Sequence, residues 1–529
     1  MRGYGARLVG VLIACIGVAI AGYAADPNIL VDAVHQDVRT VDPARGNNYL
    51  DTIVAHNLYD ALVFPDSDGN LLPMLAASWT ASSDGLSYTF TLDSTAVFHD
   101  GSSVTAEDVK FSMERSIALG QGFSWIWSGI ISDVTVDGPL AVTFHLEVPY
   151  SPFLASLPLF KIVNKDVVME NVAEGDFGEF GDYGVAWFDA AASGDAGSGP
   201  YQMKSLERGY GIVLERFPEY FLGWPNGDKS VDEAHLLLLK ENATVKTMMR
   251  SGEATMTGHY RSFDDYMEID AYPNAKLSEL SSLYIEAAKM NTKLAPTDDI
   301  HIRRMLAYAF DYDTFCEVVS GGCVRAYGYV PPSLLGYNPR LYAYEFDLEK
   351  AQEELEKSKY YPNVPDITFT YVTGQESRRQ MALLLQENLA KLGVNLVIQP
   401  ENFGGIIGRT STPETTPNLL LITQDPPYAD ADAVLYATYH SGGAGTWMSA
   451  EWLQSPLVDE LITAQKTVID PEDRAHQIEV IQQLIAEECT DIYLELVTVR
   501  NALQDYVMGM QFRPIKSGWY YFHDLWFDR

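Results

Sequence analysis

Cysteine is scarce in this 529-residue chain, which has only Cys15, Cys316, Cys323 and Cys489. None of them forms a C-x-x-C pair, which excludes a zinc ribbon and a thioredoxin-type dithiol. Cys316 and Cys323 flank Ser320-Gly321-Gly322, so a disulfide across a turn and a pair of reduced thiols are both open readings. Positive charge is also in short supply: 36 Lys and Arg face 72 Asp and Glu, a net charge of −36. This balance excludes nucleic acid as a partner, because phosphate backbones require a basic surface. Beyond that it speaks to solubility rather than to fold or ligand. Enzyme signatures are missing: there is no G-x-S-x-G, no H-E-x-x-H and no Walker A loop. The ten histidines are scattered, with no pair at i, i+3 or i, i+4, which gives no helix-borne metal site. The expectation is a protein that is not an enzyme and carries no cofactor.

Long apolar runs are confined to the first residues. Arg2 and Arg7 form a basic region, Leu8 to Ala21 an apolar one, and Gly22-Tyr23-Ala24 ends in the small-x-small pattern of signal-peptide cleavage. The reading is a signal peptide over 1–24 and an exported, periplasmic protein. A competing reading takes Leu12-Ile13-Ala14-Cys15 as a lipoprotein box, with Cys15 lipid-bearing and the protein tethered outside the cytoplasm.

The strongest local signals lie between Pro73 and Ile117. Ser82-Ser83-Asp84-Gly85 is turn chemistry. Leu86, Tyr88, Phe90 and Leu92 alternate with Ser87, Thr89 and Thr91, the period of a half-buried strand. His99-Asp100-Gly101 makes a second turn. Thr105, with Asp108 three residues on, is a capping-box variant that starts a helix with Val109, Met113 and Ile117 on one face. Glu174 to Gly199 is rich in Gly, Asp and Ala and marks a boundary. Helices are expected after Asp298 or Asp299, after Asp347, from Ser377 to Leu392, and after Asp470-Pro471. Strands and helices alternate throughout, which favours an α/β architecture.

Pro73-Met74-Leu75-Ala76-Ala77-Ser78-Trp79, Asp84-Gly85, Phe98-His99-Asp100-Gly101 and Thr105-Ala106-Glu107-Asp108-Val109 together resemble the signature of the extracytoplasmic solute-binding proteins of family 5, the peptide, dipeptide and nickel binders of ABC importers. Later stretches follow the family in order. Gly197-Ser198-Gly199-Pro200-Tyr201 is one. Leu214 to Tyr220 is another, with Phe217 where the family has Asn. Asp299 to Asp311 and Pro331-Pro332 complete the series. The resemblance implies a two-lobe periplasmic-binding-protein type II fold with an extra subdomain inserted in the first lobe. The expected bounds are 25–63, 199–286 and 503–529 for the first lobe, 64–198 for the insertion and 287–502 for the second lobe.

The resemblance also implies a function. The protein would capture a short peptide between its lobes and deliver it to the permease subunits of an ABC transporter in the membrane, acting as a monomer. Alternatives on the same fold are an oligosaccharide, an opine, glutathione or a metal chelate; an extracellular hydrolase or a peptide sensor are rivals of another class. In the dipeptide-binding branch an Asp meets the peptide amine, and Asp425 matches it, with Asp430 and Asp432 as substitutes. Arg378 and Arg379 resemble the Arg pair, one of which meets the ligand carboxylate. Arg379 fits the alignment better, and the other reading is a surface pair bridged to Glu376. Trp447 and Trp452, and Tyr49 from the opposite lobe, are read as cleft walls or as core.

Overall fold

The computed structural model describes residues 28–190, 194–258 and 261–529. The expected signal peptide and Cys15 lie outside the described residues. Two α/β sheets organise the chain. The first has seven strands in the order Ala275–Leu280, Val499–Gln504, Met256–Thr257, Ile29–Val34, Glu233–Leu238, Gly211–Arg216 and Tyr201–Glu207. The second has six, in the order Val324–Arg325, Asp491–Leu496, Ile285–Met290, Leu419–Gln424, Ile367–Tyr371 and Leu396–Ile398.

The chain passes between the sheets twice, at 281–284 and at 497–498. The two crossings run antiparallel. Leu280 faces Val499 at the end of one sheet and Ile285 faces Leu496 at the start of the other. Between them, Val497 N donates to Tyr284 O (2.8 Å) and Ser282 Oγ donates to Val497 O (2.5 Å). The expected lobe bounds at 287 and 502 fall inside the strands Ile285–Met290 and Val499–Gln504, so residues 499–502 pair in the first sheet.

A third, four-stranded sheet is built from Ala76–Ala81, Ser87–Leu92, Ala141–Leu146 and Ile131–Gly138. It lies in sequence between two strands of the first sheet and within the span 64–198. Tyr88, Phe90 and Leu92 are buried, as their alternation predicts. The helix Ala106–Leu119 begins where Thr105 predicts: Asp108 Oδ2 accepts from Thr105 N (2.9 Å) and from Thr105 Oγ1 (2.6 Å). The core of this sheet also takes in Tyr428 and Ala433 from the chain's second half. Helices after Asp299, Asp347 and Asp470 start at those caps. The helix expected from Ser377 spans Glu376–Lys391. Cys316 and Cys323 are joined as a disulfide, with Cα atoms 5.1 Å apart.

The most recognisable sequence motifs are structural pins. A Cβ on Gly197 would stand 1.9 Å from Leu58 O, and one on Gly199 would stand 2.5 Å from Asn57 O. Only glycine allows this segment to approach the end of the helix Tyr49–Leu58 so closely. His99 locks the contact from the other side. Its Nδ1 meets Asp195 Oδ1 (2.5 Å), its Nε2 meets Gly199 O (2.9 Å), and its backbone N–H donates to Gly197 O (2.9 Å). Both ring nitrogens face acceptors, so both must donate, which is the imidazolium form. Burial opposes that charge, but Asp195, the Gly199 carbonyl and the field of Asp60 outweigh it and raise the His99 pKa above its ordinary value. Phe217, the family's Asn position in the resemblance, packs edge-on to the His99 ring at 5.0 Å.

Because the folded pKa of His99 is raised, its stabilisation is complete below the unfolded value near 6.5 and is lost as pH rises through the folded value. His99→Gln should therefore destabilise the protein most at low pH, by about 3–5 kcal/mol as for breaking a buried ion pair. Thermal or urea denaturation of both proteins across pH checks this. The gap between them should narrow as pH rises, and a gap independent of pH would contradict the imidazolium assignment.

Candidate functional site

Three strands of the first sheet run parallel: Ile29–Val34 lies between Glu233–Leu238 and Met256–Thr257. In open parallel sheets, ligands bind beyond the carboxyl ends of the strands. Here those ends open onto a cavity of about 360 Å³. Ala33 comes from the first strand and His35 follows it, residues 239–242 follow the second, and Gly258 and Arg261 follow the third. Gly374, in the turn before the helix Glu376–Lys391, is the one lining residue from the second lobe. The cavity therefore lies between the lobes.

The first-lobe wall is aromatic behind and basic in front. Tyr49, at the start of its helix, is buried. Its ring lies 6.1 Å from His35, 5.6 Å from Tyr520 and 6.5 Å from Trp519. Burial and the positive charge of Arg261 push His35 down to about 4, so its imidazole is neutral near pH 7. Asp32, in the same strand, is fully buried and neither carboxylate oxygen has a hydrogen-bond partner. Burial pushes it up to about 7 against the opposing pull of Arg261.

On the second-lobe side, pairing across the sheet places Thr423, Glu286 and Glu495 in one row, near the crossings. Arg378 crowns this row. Its Nε donates to Glu286 Oε1 (2.6 Å) and its Nη2 to Thr423 Oγ1 (2.6 Å). Burial, with Glu286 beside it, pushes Glu495 up to about 8, while Ser320 Oγ donates to its Oε2 at 2.7 Å.

The two arginines of the expected pair are thus in different places. Arg378 is buried, whereas Arg379 is half-exposed and makes its ion pair with Glu376 at 2.7 Å. The helix explains the split, since successive residues point about 100° apart. Arg378 stands three residues before Met381 and seven before Leu385, on the face that packs against the sheet. That spacing was available in the sequence and marks Arg378 as the inward-facing one of the two.

Asp425 follows the strand Leu419–Gln424 and its Oδ2 accepts from Lys516 Nζ at 2.5 Å. Lys516 belongs to the C-terminal segment, whose backbone also bonds to Pro427 O (3.1 Å). Asp430 is committed to a buried two-pronged pair with Arg474 (2.6 and 2.7 Å). Asp432 is buried between Gln465, Lys466 and the Tyr150–Tyr428 hydroxyls. None of the three aspartates lines the cavity, and neither do Arg378, Arg379, Tyr49, Trp447 or Trp452. Trp447 is half-buried against Phe403, over a small core of Ile406, Leu420 and Ile422. Trp452 is core: it is 6 % exposed and its Nε1 donates to Thr416 Oγ1 (2.9 Å), before the start of the strand whose far end carries Asp425.

His35, Lys240, Asn242, Arg261 and Lys516 were not singled out from the sequence as site residues. For the first four, the available signal was position, each falling just after a strand of a parallel set. Lys516 had none, because its partner is 91 residues away.

Removing Arg378 would leave Glu286 buried without its ion pair. Arg378→Met should cost about 3–5 kcal/mol in denaturant titrations. Arg379→Ala should leave the unfolding midpoint unchanged, because its pair with Glu376 is exposed.

Residues 70–446 match the description of bacterial extracellular solute-binding proteins, family 5 (middle region). The chain is 26% identical over 514 residues, 95% of each chain, to a probable D,D-dipeptide-binding periplasmic protein of Escherichia coli (strain K12). It is 26% identical over 532 residues to di/tripeptide-binding protein 2 of Pseudomonas aeruginosa (strain UCBPP-PA14), covering 94% of this chain and 95% of the relative. The fold is similar to an ABC transporter-associated periplasmic binding protein from Helicobacter pylori in complex with the peptide STSA. That match has a TM-score of 0.79 and 23% identity, and covers 95% of this chain and 98% of the other. Two mixed sheets joined by paired crossings, with a polar cavity between them, agree with these matches, and the chain belongs to the bacterial extracellular solute-binding proteins of family 5.

Proposed function

We propose that this protein captures short peptides in the cavity between its lobes and hands them to the permease of an ABC importer after export from the cytoplasm. The observation that carries the reading is the cavity itself. At about 360 Å³ it lies at the small end of ligand pockets, it is lined by polar groups, and Gly374 of the second lobe joins the first-lobe residues that wall it. Relatives whose names specify dipeptides or di- and tripeptides, matched along nearly the whole chain, support the same size of ligand.

Capture works by closure. The paired crossings are the natural hinge, and the ligand must bind the closed arrangement better than the open one. Asp425 is the proposed partner of the peptide ammonium. It already binds a primary ammonium, that of Lys516, through Oδ2, and a carboxylate has further lone pairs to offer. Tyr49 contributes as an aromatic support behind His35, and Trp447 remains a candidate for the rim. Arg378 holds the second-lobe edge rigid through Glu286 and Thr423.

The mature protein, freed of bound ligand by unfolding and refolding, should bind di- and tripeptides in calorimetry and leave them intact. A protein that binds a sugar or a metal chelate and no peptide would overturn the reading. Asp425→Asn should weaken peptides with a free amino terminus by about 2–5 kcal/mol, the cost of truncating one partner of a buried charge pair. Their N-acetylated counterparts should bind both proteins alike.

A further inference from the structure

Among the described residues four arginines are buried. Arg115 pairs with Asp42, Arg378 with Glu286 and Arg474 with Asp430, while Arg303 donates to backbone carbonyls with Glu488 at 3.6 Å. Arg261 is half-buried and, like Arg325, makes no ion pair, but of these two only Arg261 lines the cavity. It stands at the carboxyl ends of the parallel strands, on the wall of the cavity. Its Nη1 donates to Asn242 Oδ1 (2.6 Å) and its Nη2 points to Ala33 O (3.4 Å), both neutral acceptors. Its Nε is buried and has no partner. Among the described residues no carboxylate lies within ion-pair distance of its guanidinium. Asp32 and Asp265 act on it only through space, and both carboxylate oxygens of Asp32 are unbonded.

Of the charged residues on the cavity wall, two are basic, Arg261 and Lys240, and one is acidic, Glu241, in a chain where acids outnumber bases two to one. A guanidinium oriented by two neutral acceptors keeps its charge, and each Nη has a second N–H beyond the one it donates. This is a preorganised receptor for a carboxylate, which a guanidinium recognises by parallel N–H···O bonds.

We propose that Arg261 is a specificity-determining residue of the first lobe, binding a carboxylate of the ligand inside the cavity. The inference rests on the peptide reading and sharpens it: the preferred ligand is a peptide with a free carboxylate directed at the first lobe. Asn242 is the positioning residue that aims the guanidinium.

The test uses the refolded mature protein and Arg261→Gln, each titrated calorimetrically with tri-alanine as the free acid and as the C-terminal amide. The wild type should favour the acid by at least about 30-fold, the low end of the cost of unpairing a buried charged hydrogen bond. In the variant that ratio should collapse while the amide binds as before. An equal acid-to-amide ratio in the two proteins overturns the proposal. A second readout needs no peptide: the shift in melting temperature with millimolar sodium glutarate, against sodium chloride of equal ionic strength. Glutarate should stabilise the wild type specifically and the variant no more than chloride does; a wild type that does not distinguish the two salts counts against the carboxylate site. If neither tri-alanine form binds the wild type, the peptide reading fails, and the glutarate comparison alone decides the role of Arg261. Should Arg261→Gln fail to fold, Arg261→Lys replaces it. Lysine keeps the charge but loses the fork, so the acid preference should fall without vanishing, and an unchanged preference overturns the proposal.

Discussion

The architecture depends on the hydrogen-bonded pairing of two short crossings, 281–284 and 497–498. Each strand that leaves the first sheet enters the second as a neighbour of the strand that made the same passage in reverse. A single crossing would be a flexible tether. Two, tied by the Val497–Tyr284 and Ser282–Val497 bonds, restrict relative motion of the sheets to bending about one line. The same pairing fixes the register of Glu286 against Glu495 and Thr423, and so determines where the buried guanidinium of Arg378 can sit. The geometry of one cleft wall thus follows from the hinge.

Much of the fold was legible because its signals are local. Alternation named the strand Ser87–Leu92, and Thr105, Asp299, Asp347 and Asp470 named helix starts, since caps and periodicity involve residues a few positions apart. The Gly-x-Gly before Tyr201 was legible as punctuation, but the backbone approach to Leu58 that demands it was not, because that contact spans more than a hundred residues. Strand order and the two crossings have no local signature, which is why the expected lobe bounds fell inside strands.

The site was less legible than the fold for a related reason. Residue type and neighbourhood picked out Arg378 and Arg379 together, yet the helix can turn only one of them towards the sheet. Acidic residues following Leu419–Gln424 were equally plausible as a group. Burial separates them, since Asp430 and Asp432 are consumed by Arg474, Gln465 and Lys466 while Asp425 reaches across to the other lobe. Residues that line the cavity from the first lobe come from three short stretches, 33–35, 239–242 and 258–261, which no single local motif spans.

The contacts that span the lobes carry a further consequence. Lys516 reaches Asp425, Ser151 bonds to the carbonyls of Lys466 and Val468, and the Tyr428 ring is enclosed in the core of the third sheet. All of these are made by the protein alone, so they favour the arrangement in which the lobes touch whether or not a ligand is present. They reduce the share of binding energy consumed in closing, which strengthens capture of a small, weakly contacting ligand. They also narrow the difference in shape between loaded and empty molecules. A carrier held together in this way conveys less information by its outline, and whatever receives it must read the ligand's effect on the balance of two states.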